Sequence, residues 1–74
     1  MTAAELAYSD ALAALRAEEE KLAPLMEPVK QGIATCYCWT RQLDAQVDRV
    51  QAARAALHLA GRKLAKEREI AQRT

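Results

Sequence analysis

The side chains able to do chemistry are few, and their spacing does not favour it. The single histidine, His58, has no Ser, Cys or carboxylate in a motif relation to it, so a nucleophilic triad is unsupported. Cys36 and Cys38 form a C-x-C pair, but a zinc site needs three or four protein ligands. His58 is the only other soft ligand, and on a continuous helix it lies about 30 Å away. Two residues apart on a helix, the cysteines point to different faces. Cys36 is therefore expected in the core and Cys38 outside as a reduced thiol. The run Glu18-Glu19-Glu20 reads as a solvated helix face. Gly32 and Gly61 are isolated, so no phosphate-cradling loop exists. The expectation is a non-enzymatic chain with no metal and no cofactor.

Binding chemistry is better represented. The segment Cys36-Tyr37-Cys38-Trp39-Thr40-Arg41 holds the only Trp and one of the two Tyr. Tyr, Trp and Arg are the types enriched where protein interfaces concentrate their energy. Tyr37 and Arg41, one helical turn apart, are the leading candidates for a protein-binding patch. The apolar Leu59 joins them, and so does Trp39, whose seam position makes a core anchor its simpler reading. Charge divides along the chain. Residues 1–31 carry three Lys/Arg against six Asp/Glu, and residues 32–74 carry eight against four. The simpler reading is an acidic helix complementing a basic one. The alternative is nucleic-acid binding by a basic C-terminal helix, through Arg62, Lys63 and Lys66. Against it, the basic residues run around the helix and form no single stripe.

The elements that must position these residues follow from one pattern. Every seventh residue from position 8 is apolar: Tyr8, Leu15, Leu22, Val29, Cys36, Leu43, Val50, Leu57, Leu64 and Ala71. The companion column three residues on is mixed, with Ala11, Glu18, Leu25, Gly32, Trp39, Gln46, Ala53, Ala60 and Glu67. This is a coiled-coil type of seam with small residues where helices can approach closely. No segment alternates with period two, so no strands are expected. Leu15, Leu22, Val29, Cys36, Leu43, Val50, Leu57 and Leu64 are assigned to this core or dimer seam.

Thr2-Ala3-Ala4-Glu5 fits a capping box. It starts a first helix over about 3–22. Pro24 and Pro28 place the turn at 23–28, since a proline inside a helix costs about 3 kcal/mol. A long second helix then runs over about 28–72, with Gly61 as a point where it could bend. Charge suggests a later turn: pairing Glu5 with Arg68 and Glu19 with Arg54 centres it near residue 36. Gly32 and Thr35 could support that turn, but surface ion pairs are worth only about 0.3–0.5 kcal/mol each. With the turn at 23–28, Val50, Leu57, Leu64 and Ile70 lack an intrachain partner. A homodimeric, coiled-coil-like bundle of helical hairpins covers them, and a three-helix monomer is the alternative.

Composition sets the outer limits. Of the hydrophobic 51 %, 17 residues are Ala, and there is no Phe. A chain of 74 residues is one small helical domain, and a lone core of this size is marginal. No apolar run approaches the roughly 20 residues that span a bilayer. The N-terminus lacks a basic start and apolar stretch, so the expected location is cytoplasmic. The leading functional expectation is a small protein-binding module, an inhibitor, antiactivator or chaperone of a partner, of the kind found among phage and bacterial regulators. A nucleic-acid-binding dimer and a structural assembly subunit are the alternatives.

Overall fold

Thr2 starts the first helix. Its extended backbone and its hydroxyl, which accepts from the Glu5 N–H at 3.2 Å, satisfy one of the free donors at the helix start. In the computed structural model, which describes residues 1–73, helix α1 spans Ala3–Lys30 and helix α2 spans Tyr37–Arg73. No strand occurs among the described residues. The two helices lie antiparallel as a hairpin, 59 Å along its long axis and 16 × 15 Å across.

The turn lies at 31–36, not at 23–28, and both prolines sit inside α1. Two physical reasons account for this. The backbone carbonyls that lose a donor to Pro24 and Pro28 belong to Glu20 and Pro24, four residues back. Both of those residues are exposed, so the cost of the prolines falls on the solvent side of the helix and not in the seam. In return, the last two turns of α1 place Leu25 and Met26 in the seam, each half-buried. The Trp39 indole Nε1–H donates to the Leu25 carbonyl at 3.1 Å, which ties the first turn of α2 to the proline-containing stretch.

Gly32 stops α1. It has φ +72°, and it stands one position past the cap residue Gln31. The Gly32 N–H donates to the Val29 carbonyl at 3.1 Å, and the Ile33 N–H donates to the Pro28 carbonyl at 2.9 Å. That pair of bonds is a Schellman motif, which needs a residue able to adopt the left-handed conformation. On the far side of the turn Cys36 caps α2. Its Sγ accepts from the Trp39 N–H at 3.4 Å, and its carbonyl accepts from the Thr40 N–H at 3.1 Å.

The later turn re-registers the seam. Val50 is 3 % exposed and Leu15 8 %, and Ala60 is buried. Leu22, Leu43, Leu57 and Leu64 are half-buried. Val50 therefore finds its cover within the chain, against the expectation that it needs a second copy, while Leu57 and Leu64 are covered only in part. Val29 and Cys36 leave the seam and are exposed, because Gly32 ends α1 before the heptad column reaches α2. Helix α2 is continuous through Gly61. A Cβ built on Gly61 would stand 3.5 Å from Tyr8 Cε2, an ordinary contact distance. Being longer than α1, α2 overhangs it at the C-terminal end, where Ile70 is exposed.

The two glycines predict opposite responses. Gly32→Ala forces a side chain into left-handed backbone and is expected to cost about 1 kcal/mol. That lowers the melting temperature by roughly 4–8 °C. Gly61→Ala removes a mid-helix glycine without a clash and is expected to raise the melting temperature, by up to about 1 kcal/mol of stability. Thermal unfolding followed by far-ultraviolet circular dichroism reads both signs.

Candidate protein-binding site

A polar layer interrupts the seam at its middle. Gln46 is 5 % exposed, and its Nε2 donates to the Glu18 carbonyl at 2.9 Å and to Glu18 Oε2 at 2.6 Å. Both residues occupy the mixed column of the heptad, so they meet because the helices are antiparallel with this turn. The Gln46 hydrogen bond holds the Glu18 carboxyl below the usual glutamate range, against the opposing effect of partial burial. The positive charges of Lys21 and Arg49 push the same way as Gln46, and Lys21 Nζ lies 3.7 Å from Glu18 Oε1. No buried side-chain polar atom among the described residues lacks a partner.

Nearer the turn, the Trp39 bond to the Leu25 carbonyl anchors the end of the hairpin where the candidate binding residues gather. Tyr37 is 75 % exposed, and the Arg41 guanidinium carbon lies 5.9 Å from its ring centroid. That is a cation–π stack on the outer face of the first turns of α2. Val29 and Ile33 are exposed just before it, at the end of α1 and in the turn. Trp39 turns the other way, half-buried, with its indole N–H used on Leu25. Tyr37 and Arg41 are thus brought together at one tip with Val29 and Ile33. Trp39 supports that tip from inside. Leu59 is exposed but stands 22 residues along α2 from Tyr37, about 33 Å away.

Val29 and Ile33 were not recognisable as surface residues in the sequence, because Val29 continues the apolar heptad column. The one signal was Gly32, which ends a helix when followed by an apolar residue. The basic candidates come together: Arg62, Lys63 and Lys66 line one shallow depression on the outer face of α2, with Leu59 and Glu69. Arg62 also lines a groove beside Tyr8 and Gly61, while Lys63 also lines the opposite flank with Ala56, Leu59 and Ala60. Cys36 and Cys38 are both exposed free thiols at the turn end. Among the described residues, no three His, Cys, Asp or Glu side chains come together as a metal site, and no helix is long and apolar enough to cross a membrane. The charge pairs Glu5–Arg68 and Glu19–Arg54 do not close to ion-pair distance among the described residues, although Glu5 and Arg68 line one groove.

Comparison of the chain with protein-family models, with curated proteins and with solved structures finds no match in any of the three.

The depressed Glu18 pKa has a direction in pH. A carboxylate stabilised in the folded state contributes stability above its ordinary range, and that contribution is lost as pH falls through the folded value. Glu18→Gln keeps an oxygen facing Gln46 and removes the titration. As pH falls below the ordinary glutamate range, the variant is expected to lose less stability than the parent. Urea unfolding at a series of pH values reads the difference, and parallel curves would remove Glu18 from the acid response.

Proposed function

We propose that this chain is a non-enzymatic protein-binding hairpin that inhibits or chaperones a partner by presenting its turn end. The observation that carries this reading is the tip itself. Val29, Ile33, Tyr37 and Arg41 are all exposed, and Tyr37 and Arg41 are already stacked on each other. The backbone beneath them is held by the Schellman turn and by the Trp39–Leu25 bond. A preordered aromatic–arginine pair loses less freedom on binding than a mobile one, which favours affinity. Tyr37→Ala combined with Arg41→Ala is expected to keep the helical spectrum and to weaken partner binding by at least about 2 kcal/mol, near thirty-fold. The check is a tagged capture from lysate with nuclease present. A discrete protein must be retained by the parent and lost by the variant. Equal retention by both counts against the tip.

Self-association belongs to the same proposal. Among the described residues only Leu15, Gln46, Val50 and Ala60 are buried, and none of them completely, a thin core for a rod of this length. One flank of the hairpin is lined by small side chains, Ala3, Ala4, Ala7, Ala11, Ala56 and Ala60, with Leu59 standing out of it. Two such flanks can approach closely, and together they form a four-helix bundle. Leu59→Glu places a charge in that contact. The expected outcome is a dimeric parent and a monomeric variant by sedimentation equilibrium in the micromolar range. A parent that sediments as a monomer throughout sinks the homodimer.

A further inference from the structure

On the flank of the seam away from the alanine side, the helices part around Tyr8. Two cavities of about 530 and 500 Å³ meet there and share Tyr8, Gly61 and Ala65. Gly61 makes the opening: it lines both cavities, and a side chain at that position would fill space beside the Tyr8 ring. The floor is apolar and incompletely covered, with Tyr8, Leu12, Leu57 and Leu64 all half-buried. The rim carries three arginines and one carboxylate, Glu5. Arg54, Arg62 and Arg68 border the groove over about 21 Å of helix. Among the described residues none of the three has a carboxylate partner.

We propose that this groove seats an amphipathic helix with acidic flanks, contributed by a partner protein, so that hairpin and partner together make a three-helix bundle. The chemistry selects that occupant. A half-covered apolar floor between two helices takes the apolar stripe of a third. Unpaired arginines along the rim take carboxylates, and they steer an acidic partner toward the site. A nucleic acid would leave the apolar floor uncovered. A second copy offers acidic residues on α1, but the apolar stripes of both its helices are turned inward on each other. The groove lies toward the open end of the hairpin, far from Tyr37, so it is separate from the tip and its failure leaves the tip reading standing.

The test uses the full chain and a synthetic probe. The probe is a labelled peptide of about 20 residues with a leucine stripe flanked by glutamates, and its twin carries lysines in place of the glutamates. Fluorescence anisotropy is expected to show the glutamate peptide binding at least roughly ten-fold more tightly than the lysine twin, with the advantage lost at high salt. Amide shifts in the ¹⁵N-labelled chain should cluster at Tyr8, Gly61 and Ala65. Gly61→Leu fills the groove and improves helix propensity, so it keeps the fold and is expected to weaken the peptide by about ten-fold or more. Arg62→Glu should do the same, while Tyr37→Ala leaves the peptide affinity unchanged. Equal binding of the two peptides, no binding of either, or full affinity in Gly61→Leu overturns the proposal. So does displacement of the peptide by a duplex oligonucleotide, which points to phosphate as the ligand. Concentration-dependent shifts of the same amides in the chain alone overturn it in favour of a second copy.

Discussion

The fold turns on one amide held between two oxygens. The seam of this hairpin is otherwise almost entirely apolar, and such layers accept more than one register. Gln46 does not. Sliding α2 by one heptad would set it opposite Leu25 or Ala11, and its amide would lose both Glu18 acceptors. A buried donor left without a partner costs about 1–3 kcal/mol, which is a large share of the stability of so small a chain. A single polar pair at a seam position is an established device for choosing register. Once Gln46 faces Glu18, Trp39 reaches the Leu25 carbonyl, Gly61 comes to rest on Tyr8 and the turn must close between 31 and 36.

The prolines and the glycine near the turn illustrate how local rules compete. Each proline argues for a helix boundary, and Gly32 argues for a later one. The structure follows Gly32. The penalty for Pro24 and Pro28 falls on carbonyls of exposed residues, on the solvent side of the helix and not in the seam. The Gly32 conformation, in contrast, is required by two backbone hydrogen bonds that end α1. The weak charge complementarity between the two halves pointed to a turn on this side of the prolines, though the pairs it was built from do not close. It came nearer because it is a property of the whole seam, whereas a proline rule concerns one turn of helix.

The register also decides which surfaces remain. With the seam satisfied inside the chain, three regions are left over: the tip with Tyr37 and Arg41, the alanine flank with Leu59, and the Tyr8 groove with its arginine rim. Each is a different physical kind of surface. The tip is a preordered aromatic and cationic pair, the alanine flank is a hollow lined mostly by small side chains, and the groove is an apolar hollow bordered by arginines. A rod with three distinct faces and a thin interior is suited to being covered by other helices.

The sequence by itself determined that the chain is helical, which heptad columns carry the seam, and where the first helix begins at Thr2. These follow from local propensity, from period and from a cap that acts within three residues. It also picked out Tyr37 and Arg41 as neighbours, since four residues along a helix is one turn. The position of the turn, the exposure of Val29 and Cys36, the carbonyl that Trp39 reaches and the opening beside Tyr8 are set only in the folded hairpin. The reason is that each depends on which residue of α2 stands opposite a given residue of α1. That choice is made by contacts 14 to 28 residues apart, Trp39 on Leu25 and Gln46 on Glu18, which no local pattern encodes.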